Sequence, residues 1–93
     1  MVTFIVRLFR YSYNALGFYV PKAVMDFHRL EPSGALSGEW MALRRTDGHT
    51  GKTFGVLETY RQTLRGKLGP PADDTVDDWK GQLVEITFPI EPF

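Results

Sequence analysis

Phe18-Tyr19-Val20-Pro21-Lys22-Ala23-Val24-Met25-Asp26-Phe27-His28-Arg29-Leu30-Glu31-Pro32-Ser33-Gly34 is the stretch on which the fold reading turns. Its first three residues favour a strand that stops at Pro21. A proline cannot donate to a ladder but suits the first residue of a helix, where its N–H would be unpaired anyway. Val24, Phe27, His28 and Leu30 then recur at spacings that share one helical face. A helix of about two turns is expected, with Val24, Phe27 and Leu30 buried. Pro32, Ser33 and Gly34 end it, and Trp40-Met41-Ala42-Leu43, closed by Arg44-Arg45, reads as the next strand.

Upstream, Val2, Phe4, Val6 and Leu8 alternate with Thr3, Ile5, Arg7 and Phe9, the period-2 pattern of a strand over residues 2–11. Tyr11 to Gly17 supplies the turn residues Ser12, Asn14 and Gly17 before Phe18-Tyr19-Val20, so the two runs read as a hairpin. Downstream, Asp47-Gly48-His49-Thr50-Gly51 reads as a linker, after which the pattern starts again. Thr53-Phe54-Gly55-Val56 repeats Thr3-Phe4-Ile5-Val6 at a spacing of 50, and at 49 Gly66 falls on Gly17, Pro70 on Pro21 and Trp79 on Leu30. Residues 82–90 then match the strand at 40–45. The repeat predicts strand, loop, strand over 53–69 and a helix opened by the Pro70-Pro71 pair. A competing helix runs through Leu57, Tyr60, Leu64 and Leu68, weakened by Gly55, Thr59, Thr63 and Gly66. The expected architecture is one domain, 1–93, mainly β with short helices, made of pseudo-repeats 1–47 and 52–93. Phe4, Val6 and Leu8 are expected to meet Phe54 and Val56 in its core.

Ninety-three residues allow one modest core, and 43% apolar with 24% charged residues argues for a folded chain. The absence of cysteine excludes disulfides, thiolate catalysis and Cys-dependent zinc sites, and it fits a cytoplasmic location. A charge at Arg7 comes too early for a secretory leader, and no apolar run approaches the roughly 18 residues of a membrane span. Net charge is zero, but residues 1–46 hold six basic and three acidic residues while 47–93 hold five and eight. Half of the second set of acids are Asp73, Asp74, Asp77 and Asp78, whereas Arg61, Arg65 and Lys67 have no acid between them.

The run from Gly17 to Ser33 resembles the AbrB-like (SpoVT/AbrB, MazE-type) swapped-hairpin DNA-binding family, whose pattern is strand, Pro-Lys, short helix, Leu-x-Pro-Gly, strand. Pro21, Lys22, Leu30 and Pro32 fall in place, with Ser33-Gly34 replacing the usual turn. Pro70 to Ile86 resembles the same motif more weakly, with Pro71 where Lys would stand. The resemblance implies a swapped-hairpin barrel formed by the two pseudo-repeats, as a monomeric pseudo-dimer or a homodimer. It also implies a small transcription-regulatory protein whose partner is double-stranded DNA.

The residues expected to carry that binding are Arg7, Arg10, Tyr11, Tyr13, Asn14, Arg61, Arg65 and Lys67 on or beside the two hairpin loops, with Lys22 at a helix N-terminus. The five loop cations are expected to cluster away from Asp73–Asp78. An antitoxin-like or scaffold role, with the acidic segment 73–78 binding a basic protein partner, is the alternative. Gly51-Lys52-Thr53 resembles the end of a phosphate-binding loop, but Thr46 stands where that loop needs glycine, so a turn is the better reading. Four aspartates at a helix start are ordinary dipole compensation rather than a metal site. His28 and His49 have no Ser or Cys partner at recognisable spacing, so no enzyme constellation and no cofactor are expected.

Overall fold

The computed structural model describes residues 2–28 and 36–88. In chain order these form β1 (Val2–Arg7), β2 (Phe9–Ser12), β3 (Ala15–Tyr19), α1 (Lys22–His28), β4 (Leu36–Arg45), β5 (Thr50–Tyr60), β6 (Thr63–Leu68), α2 (Val76–Trp79) and β7 (Leu83–Phe88). All seven strands join one antiparallel sheet in the order β1-β7-β4-β5-β6-β3-β2. β1 and β2 lie at opposite ends of that order yet are joined by Leu8 alone, so the sheet must curl into a half-barrel. The backbone of Leu8 secures the junction, donating to the Gln82 carbonyl at 3.0 Å and accepting from the Gly81 N–H at 2.8 Å.

Alternation decides which side chains enter the curl. Val2, Phe4 and Val6 of β1, Leu64 and Leu68 of β6, and Val84 and Ile86 of β7 point inward and are buried. Phe18 of β3 packs against Phe4 with ring centroids 5.8 Å apart. Trp79 of α2 is wholly buried at one end of this core.

The strand, loop, strand expectation over 53–69 agrees with β5 and β6, and the competing helix does not form. Strand wins because Leu57, Leu64 and Leu68 are all buried in the pleat while Tyr60 lies on the outer face. Other expectations are corrected. Phe54 and Val56 are exposed on the outer face of β5, so they do not meet Phe4 and Val6 in the core. The second helix starts at Val76 after Thr75, not at Pro70-Pro71: the Thr75 N–H and hydroxyl both donate to Asp78 Oδ2, at 2.7 and 3.1 Å.

The first helix also rotates relative to its expected phase. Pro21 precedes α1, and its carbonyl accepts from the N–H groups of Val24 and Met25. Met25 is buried and Val24 is partly buried against the core, but Phe27 is 82% exposed. Leu30 and the closing Pro32-Ser33-Gly34 lie outside the described residues. Phe27→Ala is therefore expected to change stability by less than about 1 kcal/mol in urea denaturation, in place of the 3–5 kcal/mol that a buried phenylalanine would imply. A loss in that larger range would show that the ring is buried after all.

Candidate nucleic-acid interface

The outer face of β2, β3, β5 and β6 gathers aromatic and cationic side chains. Along β5, Lys52, Phe54, Val56, Glu58 and Tyr60 all lie on this face because the side-chain period is two. On β6, Arg65 and Lys67 alternate with the buried Leu64, Gly66 and Leu68. Arg65 pairs with Tyr19 on one side and with Glu58 on the other, and Lys67 pairs with Gly17 and Val56. Gly17 has no side chain, and this lets β2 reach over β3: a Cβ there would lie 2.6 Å from the Phe9 ring and 3.2 Å from that of Tyr11.

Tyr11 thus meets β6 directly. Its hydroxyl donates to Glu58 Oε1 at 3.1 Å and accepts from Arg65 Nη2 at 3.2 Å. Arg65 donates to the same Glu58 oxygen through Nε at 3.0 Å and Nη2 at 2.8 Å. The Arg65 guanidinium carbon sits 4.2 Å from the Tyr60 ring centroid and 4.9 Å from that of Tyr11, and the Lys67 ammonium 5.0 Å from Tyr11. Arg61 lies over Tyr60 at 5.3 Å. The Arg65 guanidinium, followed by the Tyr11 hydroxyl, holds the Glu58 carboxyl below the usual carboxylate range, and Glu58 raises Arg65 in return. Arg61 and Lys67 form no ion pair with any described residue, so their charge is available to an anion.

The remaining expected site residues go elsewhere. Arg10 is not part of a separate basic face: it forms an ion pair with Asp77 at 2.7 Å and donates to the Tyr13 carbonyl. It faces the acidic segment because Arg10 pairs with the inward-facing Leu16 on the side of the sheet opposite Phe9 and Tyr11. Arg7 donates to the Gly81 carbonyl at 2.6 Å. Tyr13 and Asn14 form the exposed β2–β3 tip, and Lys22 is exposed in the first turn of α1. An Arg10→Ala, Arg65→Ala double variant would break two ion pairs, so Arg61 and Lys67 are the cleaner positions for a binding test. Tyr19, Phe54 and Tyr60 were missing from the expected site although the period-2 pattern of β5 marks Phe54 and Tyr60.

The acidic segment is used by the fold. Trp79 Nε1 donates to Asp74 Oδ2 at 2.9 Å, and His49 Nε2 lies 2.9 Å from the same oxygen. Arg45 stacks over Trp79 at 5.3 Å, chelates Asp47 and donates to the Asp78 carbonyl. The His49 hydrogen bond, then that of Trp79, lowers the Asp74 pKa from its ordinary 3.8. An aspartate depressed in the folded state stabilises fully above its unfolded value, and the contribution disappears as pH falls through the folded one. Acid titration is accordingly expected to destabilise the protein below about pH 4, and Asp74→Asn to flatten that dependence. Unchanged steepness in the variant would remove Asp74 from the explanation.

Among the described residues no three His, Asp or Glu are placed to hold a metal ion, and no helix is long and apolar enough to cross a membrane. No family model, curated protein or solved structure matches the chain, so the AbrB-like resemblance rests on the residues quoted for it.

Proposed function

We propose that the protein binds nucleic acid, DNA first of all, through the face built by Tyr11, Tyr60, Arg61, Arg65 and Lys67, and that it acts as a small transcription-regulatory protein. The observation that carries this reading is Arg61. It is the first residue of the two-residue β5–β6 turn and has a left-handed φ of 56°. Such a conformation costs a non-glycine residue about 1–3 kcal/mol, and a glycine would sit there unstrained. A strained cation with no ion pair among the described residues, on the same hairpin as a second such cation, Lys67, has the chemistry of a phosphate contact.

Arg61→Gly separates folding from binding. The urea midpoint is expected to stay level or rise, while affinity for DNA falls. If Arg61, Lys67 and Lys52 neutralise about three phosphates, duplex affinity should fall with salt at a log–log slope near −2.7, and Arg61→Gly should reduce its magnitude by about 0.9. Full affinity in the variant, or no salt-sensitive binding by the parent to either duplex or single strands, would reject the proposal.

The finer fold reading, a swapped-hairpin barrel of two pseudo-repeats, has support in the strand pairings. β1 and β2 together pair with β7 and β3, and β5 pairs with β4 and β6. The first strand of each half therefore takes the last strand of the other half. On this reading the protein is a pseudo-dimer within one chain, and sedimentation should give a monomer. The alternative, a protein-interaction module using 73–78, is less well supported, because Asp74, Asp77 and Asp78 are bound to His49, Arg10 and Thr75.

A further inference from the structure

We infer that the ligand of this face is a single-stranded polynucleotide laid across the sheet, with bases stacked on Tyr19, Phe54 and Trp40 and phosphates on Arg61, Lys67 and Lys52. The inference rests on the nucleic-acid reading above and narrows it.

Open rings are the first observation. Phe54 is 52% and Trp40 63% exposed; Tyr19, 45% exposed, stacks one side on Phe9 at 5.2 Å and meets Tyr60 at 5.7 Å, so only the rest of its ring is open. Trp40 stands opposite Phe54 across β4 and β5, with ring centroids 5.9 Å apart at an edge-on 75°. Gly38 provides room for this pair, since a Cβ there would fall 2.4 Å from the Phe54 ring. Rings so exposed on one face of a sheet are rare on a protein with no partner for them. Tyr11 and Tyr60 are capped by Arg65, so they hold the cation in place and leave stacking to Trp40, Phe54 and the open part of Tyr19.

Placement is the second. Tyr19 shares a row with Arg65 and Glu58, and Phe54 lies four residues along β5 from Glu58. The two rings are therefore about 10 Å apart across the strands and about 14 Å along them. Lys67 pairs with Val56, the residue midway between Glu58 and Phe54, so a chain crossing from one ring to the other passes over an ammonium group. The acid on the outer face of β5, Glu58, is neutralised by Arg65. Phosphates therefore meet net positive charge, and bases meet π-faces.

A duplex fits these features less well. Its bases are stacked on one another and offer only their edges, which are read by an element inserted into a groove. α1 has seven residues and α2 four, with Asp77 and Asp78 in its first turn. The Arg10 cation that would project from the β2–β3 hairpin is held by Asp77. A flat face with open rings suits an unstacked strand, for which stacking is tolerant of sequence.

The test is fluorescence anisotropy with a labelled oligothymidylate of about 12 nucleotides, the corresponding oligouridylate, and a duplex of the same length, each at about 50 and 200 mM salt. Both single strands are expected to bind more tightly than the duplex, and whichever of the two binds tighter distinguishes DNA from RNA. Trp40→Ala and Phe54→Ala should each lower single-strand affinity about tenfold, while Trp40→Phe should retain it. Three phosphate contacts give a single-strand salt slope near −2, and Lys67→Ala should reduce its magnitude by about 0.7. Urea denaturation of each variant, expected to match the parent because the rings are exposed, excludes unfolding as the cause. Duplex binding as tight as single-strand binding, or unchanged single-strand affinity in both ring variants, would overturn this inference and leave the nucleic-acid reading standing. Absence of salt-sensitive binding to all three probes would overturn both. A dimer in sedimentation that Trp40→Ala dissociates would overturn the inference by showing that a second copy covers the rings.

Discussion

Replacing Trp79 with alanine is expected to remove about 3–5 kcal/mol of stability, a large share of the 5–15 kcal/mol that holds a small domain together. α2 is only one turn long and cannot persist on its own hydrogen bonds. It is docked through Trp79, whose wholly buried ring is flanked by Arg45 and by His49 at 5.4 Å and whose N–H is bound by Asp74. Truncation would empty that volume and free the β4–β5 turn from α2. In a chain of this size the melting temperature should fall by more than about 12 °C. Trp79→Phe keeps most of the ring and loses the N–H, so a smaller cost of about 1–2 kcal/mol is expected. A loss below about 1 kcal/mol for the alanine variant would mean that α2 is not part of the core.

Much of this arrangement could be read from the letters, and the misplacing of Phe54, Val56 and Phe27 is in each case an error of facing. The β2–β3 hairpin and the strand, loop, strand course of 53–69 follow from alternation and turn residues, whereas the single strand expected over 2–11 is broken at Leu8 into β1 and β2, which lie at opposite ends of the sheet. What alternation does not supply is which of two similar segments faces inward. Aligning Thr3-Phe4-Ile5-Val6 with Thr53-Phe54-Gly55-Val56 at a spacing of 50 puts inward Phe4 on outward Phe54. Any correspondence that preserves facing between β1 and β5 needs an odd spacing. The shared letters favoured the even one, and a slip of one residue turns every side chain to the other face. Read at that spacing, Phe54 falls in the core, and the strand pattern at Trp40 leaves its face open. The same phase error on α1 exchanged Phe27 for Met25. For the candidate site, Arg61, Arg65 and Lys67 are legible because their segment lacks acids and lies by a turn, and Tyr11 because it adjoins the first hairpin loop. The diversion of Arg10 to Asp77 is not, because it depends on a contact between residues 67 positions apart.

Gly66→Ala is expected to destabilise the protein by about 1–3 kcal/mol although it adds only a methyl group. Gly66 lies opposite Phe18 in the β3–β6 ladder, and a Cβ at Gly66 would fall 2.2 Å from the Phe18 ring. Real side-chain contacts do not approach so closely, and the ring has no empty space to enter, being wholly buried and packed on Phe4. Gly17 tells the opposite story despite matching Gly66 in the repeat: its crowding rings, Phe9 and Tyr11, belong to the outer face. Those rings can move into solvent, so Gly17→Ala should cost less than Gly66→Ala while disturbing the Tyr11–Arg65 contact. The origin of the Gly66 effect is separable by a double-mutant cycle with Phe18→Leu. Phe18→Leu alone should destabilise, but with the ring gone the added methyl has room, so the double variant should be more stable than the sum of the singles by about 0.5–3 kcal/mol. Strict additivity in urea unfolding would show that the methyl and the ring do not compete for the same space, and that the β3–β6 register brings a different residue against Gly66.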